Sequence, residues 1–255
     1  RSYLIKTGIP YEETLPNSQH FQENVLPKMG GRRSIPVIEA ENGEVIRDGA
    51  AIIDHYEASS GQRFSPIAPK QKTLSLLFDV IGTEGLLRPA MHYRWDFPAE
   101  NLKFLTFHFQ SFIPPIPDRK EKAEEQMNRM RGAGQGFGAI PANFELIESL
   151  YTTLIKKLDE HFAQFPYLLG NKPCIGDFGL IAPFFGHLGR DPMAIRLLQT
   201  KAIRLFRWVE RMNRPDPDFG EFGPAAEEYL VGDEVPDSLI EVLKHIAIDF
   251  MPETT

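Results

Sequence analysis

The sequence predicts an α/β domain with a mixed sheet, followed by a larger all-helical domain. Helical and strand-like patterns alternate over the first sixty residues, and an Asn42-Gly43 hairpin signal stands between two β-branched runs. Past residue 70, every regular pattern has helical spacing. We therefore place the α/β domain at 1–61, a linker at 62–69 and the helical domain at 70–255.

The predicted order of the α/β domain is helix, strand, a polar segment at 17–29 with a loop and a short helix, two-strand hairpin and helix. Gly8 ends the first helix, and Asp48 or Gly49 begins the last one. A hairpin that follows an αβ segment implies a mixed sheet. The predicted elements are a helix at 1–7, strands at 11–15, 34–39 and 45–47, and a helix from 48 or 49 to 61.

The helical domain is predicted from apolar residues that recur every three or four positions. The clearest case is a stripe at four-residue spacing, formed by Leu146, Leu150, Leu154, Leu158 and Phe162. The predicted helices lie at 74–92, 119–131, 144–162, 175–188, 202–212 and 239–248. The glycine-rich run at 131–138 contains no GxGxxG in any register, so we expect a loop there and no dinucleotide site.

Composition narrows the class of protein. The 255 residues carry a formal net charge of -7, which argues against a general nucleic-acid binder. The most apolar stretch, at 104–116, is too short to span a bilayer. Cys174 is the one cysteine, so no internal disulfide is expected. We expect a cytoplasmic protein with no metal cofactor, no nucleic-acid partner and no membrane span.

Two motifs carry a resemblance to a known family. They are SIPVIEAENGEVIRDGAAIIDHYE at 34–57 and LLGNKPCIGD at 168–177. Together they resemble the glutathione transferase superfamily, in which a thioredoxin-like domain precedes a helical domain. The resemblance implies that glutathione is the co-substrate. It also implies that the first strand and the catalytic tyrosine, serine or cysteine lie upstream of Arg1.

The resemblance assigns part of a glutathione site to the entry of the second strand. A cis bond is expected between Ile35 and Pro36, and the backbone of Ile35 would then pair with the cysteinyl part of glutathione. Arg33 and its neighbour Arg32 are the candidates for the glycyl carboxylate. The simpler alternatives are a trans strand entry and two ordinary surface charges.

The helix that begins near Asp48 supplies the other part of the site. A helix N-terminus attracts anions, so the N–H groups of Gly49 and Ala50 would bind the γ-glutamyl carboxylate. Asp48 would bind the γ-glutamyl ammonium, although it could also be an N-cap alone. The family has serine where this chain has Gly49, so we expect binding weaker by about 1 kcal/mol.

The helical domain would supply a pocket for an apolar electrophile, for which His92, Tyr93 and Trp95 are the candidates. Aromatic residues at helical spacing form core more often than pocket, so a core role is the alternative. At the second motif, Cys174 is expected to be structural, with Asp177 capping the following helix.

Three functions remain open from the sequence. The first is conjugation of glutathione to an apolar electrophile. The second is a glutathione-dependent reductase or lyase with an upstream cysteine, and the third is a non-catalytic scaffold. The resemblance also implies a homodimer.

Overall fold

A computed structural model describes residues 1–16, 18–30, 34–61, 63–215 and 220–254. The chain divides into two compact units. We call Arg1–Ile9, Phe64–Asn101 and Gly132–Thr255 the helical unit, and Pro10–Arg63 with Leu102–Arg131 the hairpin unit.

The described residues are mostly helical. The helices are α1 (Ser2–Thr7), α2 (Gly49–Ser60), α3 (Pro69–Val80), α4 (Leu87–Trp95), α5 (Pro98–Ser111), α6 (Arg119–Gly136), α7 (Phe144–Phe162), α8 (Ile175–Pro183), α9 (Pro192–Lys201), α10 (Ile203–Met212) and α11 (Asp237–Thr254). The strands are β1 (Val37–Glu39) and β2 (Val45–Arg47). Short π-helical turns occupy Phe21–Val25, Ile81–Gly85 and Phe184–Leu188, and 3₁₀ turns occupy Pro27–Met29, Pro141–Asn143 and Val231–Asp233. Within the described ranges, no helix combines the length and apolarity needed to cross a membrane.

The hairpin unit is built on β1 and β2, which pair antiparallel with Ile38 opposite Ile46. The turn between them has Gly43 at a φ of 77°, a conformation that glycine adopts without steric cost. This confirms the hairpin predicted from Asn42-Gly43. The unit has a small core of Phe21, Val25 and Met29. Three partly buried residues pack against this core: Leu26, Val37 and Val45.

The strand predicted at 11–15 is wrong, since these residues are exposed and form no strand. A strand needs hydrogen-bonded neighbours, and the described residues contain no partner strand for this segment. The sheet that the structure describes is therefore antiparallel and two-stranded, and the expected mixed sheet is not present in it.

The helical unit packs α3 and its π-helical extension against α8 through glycines. A Cβ atom on Gly82 would lie 2.3 Å from the carbonyl carbon of Gly179. A Cβ atom on Gly179 would lie 2.4 Å from the Cα of Asp79. The two backbones approach so closely that no side chain fits between them, and nearly all of α8 is buried.

Helix α7 begins and ends where its apolar periodicity predicts. The predicted stripe is buried from Leu154 through Leu158 to Phe162, whose ring stacks on Trp208 at a centroid distance of 5.0 Å. Leu146, at the start of the stripe, is 57% exposed. The first turns instead bury Ile147, which is one position further along the helix.

The loop predicted at 131–138 is also wrong, because α6 continues to Gly136. These glycines do not stop the helix, because glycine in a helix interior costs only about 1 kcal/mol relative to alanine. Helices α5 and α9 begin with Pro98 and Pro192, and the sequence analysis did not predict them as helices.

Candidate functional site

The first part of the candidate site is the entry to β1. The peptide bond between Ile35 and Pro36 is cis, which confirms the prediction. Ile35 is 68% exposed. Neither its N–H nor its C=O bonds to another described residue. Within the described residues, this backbone therefore has one donor and one acceptor without a partner.

The second part is Asp48, the N-cap of α2. Its Oδ1 accepts hydrogen bonds from the N–H groups of Ala50, at 2.9 Å, and Ala51, at 3.3 Å. Its own N–H donates to the Pro36 carbonyl at 3.1 Å, so this hydrogen bond joins the start of α2 to the β1 entry. The two parts of the predicted site are thus brought together within the hairpin unit.

Asp48 has an unusual backbone conformation, with φ 86° and ψ 142°. This lies close to a region that glycine alone adopts readily, and an L-residue held there costs about 1–3 kcal/mol. The residue is exposed, so packing of its side chain does not explain why an aspartate occupies the position. Conformational strain of this kind concentrates at ligand-binding and catalytic sites.

The hydrogen bonds at Asp48 change one predicted contact. The Ala50 N–H was expected to bind the γ-glutamyl carboxylate, but it donates to Asp48 instead. Among the described residues, the N–H of Gly49 has no partner, and Oδ2 of Asp48 accepts no hydrogen bond. The helix start therefore offers one N–H donor and one carboxylate oxygen, which belong to neighbouring residues of the same cap.

A polar cluster joins the segment at 20–28 to the hairpin. His20 Nε2 lies 2.6 Å from Glu39 Oε2, and Lys28 donates to the Gly43 carbonyl at 2.7 Å. The hydrogen bond with His20, more than the nearby charge of Lys28, lowers the pKa of Glu39. The sequence analysis missed this cluster because His20 and Glu39 are nineteen positions apart and form no local motif.

The remaining predicted glutathione ligands, Arg32 and Arg33, lie outside the described residues.

The candidates for the electrophile pocket belong to the helical unit and are buried. His92, Tyr93 and Trp95 are 1%, 2% and 7% exposed. The His92 ring lies between Asp96, 2.9 Å from Nδ1, and Glu148, 3.1 Å from Nε2. Burial raises the pKa of Tyr93. These positions match the core alternative, and their part in binding an electrophile stays a prediction.

The second motif forms a structural cap. Asp177 accepts from the N–H groups of Cys174, at 2.9 Å, and Leu168, at 3.2 Å, and from the Trp208 indole at 3.0 Å. Burial raises the pKa of Asp177 to about 6. Burial also raises the pKa of the Cys174 thiol, which makes it a poor nucleophile. The expected capping role of Asp177 is confirmed.

Comparison of the chain with models of protein families, with curated proteins and with solved structures found no match. Among the described residues, no group of three or more His, Cys, Asp or Glu side chains could hold a metal ion.

Proposed function

We propose that the chain binds glutathione at Asp48 and Ile35 and is a glutathione-dependent transferase. The observation that carries the proposal is the strained, exposed Asp48, whose Oδ2 and neighbouring Gly49 N–H have no partner among the described residues. A carboxylate beside an unpaired N–H is complementary to the α-amino acid end of a γ-glutamyl group, which carries one ammonium and one carboxylate.

The ligand would extend from α2 to the β1 entry. Its ammonium binds Oδ2 of Asp48, and its carboxylate accepts from the Gly49 N–H at the positive end of the helix dipole. Its peptide backbone pairs with the open N–H and C=O of Ile35 in the manner of an added strand. The Ile35 side chain, being exposed, would cover the ligand's apolar atoms.

The proposed reaction is conjugation of the glutathione thiolate to an apolar electrophile. It rests on the resemblance of the two motifs, and the family's catalytic residue has no counterpart among the positions that these motifs match. A tyrosine or serine in that role would support transfer, and a cysteine would support the reductase or lyase. By the same resemblance we propose a homodimer, which light scattering at micromolar concentration would test by mass.

A non-catalytic scaffold is the second candidate. Gly49 favours it, because this residue offers an N–H but no hydroxyl to a ligand. A scaffold that has lost the ligand would still keep Asp48 as a cap, with both hydrogen bonds to α2. Glutathione binding therefore separates the two candidates more directly than activity does.

Calorimetric titration with glutathione tests the proposal. We expect a Kd in the sub-millimolar to millimolar range, about -4 to -5 kcal/mol. Asp48→Asn keeps a capping oxygen but removes the charge, so it should weaken binding about fivefold or more. Asp54→Asn, on an exposed turn of the same helix, is the matched control and should bind like the wild type.

Gly49→Ser is the complementary variant. A Cβ on Gly49 would meet only Pro36 Cγ at 3.8 Å, an ordinary contact, so serine fits. Its hydroxyl should improve glutathione affinity by about 1 kcal/mol. No heat of binding at several millimolar glutathione, for wild type and Gly49→Ser alike, would favour the scaffold.

A further inference from the structure

The hairpin unit contains a second candidate site, a groove with a volume of about 690 Å³. Cavities that bind small ligands in proteins are typically about 300–1,000 Å³. The groove shares no lining residue with the glutathione site proposed at Ile35 and Asp48. It is lined by residues near the first π-helical turn, in the loop after α5 and on α6, among them Ile113, Ile116, Lys122, Glu125, Gln126 and Arg129.

One part of the groove is apolar. Ile113 is 2% exposed and lies at its base, and Ile116 is 36% exposed. Pro114 lies between them in the same loop. This wall can cover the apolar body of a ligand, and each square ångström so buried contributes about 25 cal/mol.

The opposite part of the groove is formed by one face of α6 and carries charge. Lys122 forms an ion pair with Asp118 at 2.9 Å, so its charge is already compensated. Arg129 also lines the groove, is exposed, and has no hydrogen bond or ion pair with any described residue. Glu125 lines the groove as well, but no ion pair joins it to Arg129.

Two charged groups of the groove, Glu125 and Arg129, therefore have no ion pair with a described residue, and the planar fork of the Arg129 guanidinium suits a carboxylate. The side-chain amides of Gln19 and Gln126 add hydrogen-bonding groups beside it, although the Gln19 amide nitrogen already donates to Glu23 at 3.0 Å. An ammonium ligand could pair with the Glu125 carboxylate, but the positive charges of Lys122 and Arg129 would repel it.

We infer that this groove binds an organic anion, a carboxylate on an apolar body, with Arg129 on the carboxylate and the Ile113–Ile116 wall on the body. Nothing in the proposed glutathione function requires this site. Because the two sites share no lining residue, they can be tested separately.

Fluorescence titration with 1-pyrenebutyrate and 1-pyrenebutanol tests the inference, since the two probes share the pyrene and differ in the charged end. The wild type should bind the carboxylate about threefold to tenfold more tightly than the alcohol. Arg129→Gln should abolish that preference and leave alcohol binding unchanged. Lys120→Gln, on the same helix but outside the groove, is the control and should keep the preference.

A variant of the apolar wall completes the test. Ile116→Ser should weaken both probes by a similar factor, because it removes contact with the pyrene and not with the charge. Equal affinity of the wild type for the two probes would overturn the inference. So would a preference that Arg129→Gln retains, or one that Arg129→Gln and Lys120→Gln reduce equally.

Competition separates this site from the glutathione site. The Kd of glutathione is taken as about 1 mM. Glutathione at tenfold this concentration should not displace bound 1-pyrenebutyrate. The Asp48→Asn variant should bind the probe like the wild type. Displacement by glutathione together with loss of probe binding in Asp48→Asn would assign the probe to the glutathione site and overturn the inference.

Discussion

Asp177 and Asp48 each cap the start of a helix, and the two residues differ in burial, hydrogen bonding and backbone conformation. Asp177 in the helical unit is fully buried and accepts three hydrogen bonds, two of them from backbone N–H groups. Asp48 in the hairpin unit is exposed, uses one oxygen for two N–H groups and keeps a strained backbone. A cap whose hydrogen bonds are all made is explained by folding. A strained cap with an unused oxygen is the feature on which the proposed ligand site depends.

The largest expected effect is on the buried aspartate. Asp177→Ala leaves the N–H groups of Cys174 and Leu168 and the Trp208 indole without a partner. Each unpaired buried donor costs about 1–3 kcal/mol, so the variant should lose roughly 3–5 kcal/mol or fail to fold. Urea unfolding measures the loss. Asp48→Ala is the comparison and should lose only about 1–2 kcal/mol; an equal loss would remove the contrast between the two caps.

The pH dependence of the free energy of unfolding should distinguish Asp177 from carboxyl groups whose pKa is not raised by burial. Its pKa is about 6 in the folded protein, against the ordinary 3.8 of an aspartate side chain. The folded state therefore binds more protons between these values, and the stability from this group falls as the pH rises from about 4 to about 6. The difference amounts to about 3 kcal/mol.

Asp177→Asn does not titrate, so it isolates this effect. The substitution should cost about 3 kcal/mol more at pH 4 than at pH 7, because the wild type gains stability on acidification and the variant does not. Urea unfolding at both pH values is the measurement. A cost that is the same at both, or larger at pH 7, would show that burial does not govern this carboxyl.

These contrasts also show what the sequence could predict. The hairpin at Asn42-Gly43, the bounds of α7 and the cap at Asp177 depend on local spacing, and they were predicted correctly. The strand at 11–15 was wrong because strand formation depends on a partner that local pattern does not reveal. The loop predicted at 131–138 was wrong because glycine weakens a helix by only about 1 kcal/mol per residue, and the local pattern does not reveal the tertiary contacts that offset this cost.

The candidate site was predictable in part. A motif placed Pro36 and Asp48 in one region, and the structure joins them by a hydrogen bond. The motif did not predict the positive φ of Asp48 or the use of the Ala50 N–H by its carboxylate, because both depend on how the chain leaves β2. The contact between His20 and Glu39 had no sequence signal, since it joins two separate segments.

A smaller effect is expected when the strain at Asp48 is relieved. Glycine adopts this conformation freely and is almost as good an N-cap as aspartate. The Asp48→Gly substitution should therefore raise the free energy of unfolding by roughly 0.5–1.5 kcal/mol. Asp48→Ala keeps the strain and loses the cap. The two variants should therefore differ by about 2–3 kcal/mol in urea unfolding, and equal stabilities would mean that Asp48 is unstrained.

The most direct test of the central claim combines stability with affinity in the Asp48→Gly variant. The claim is that strain at Asp48 is retained for ligand binding. It predicts that this variant unfolds at higher urea concentration than the wild type and binds glutathione about tenfold more weakly in calorimetric titration. A variant that is more stable and binds glutathione as well as the wild type would contradict the account.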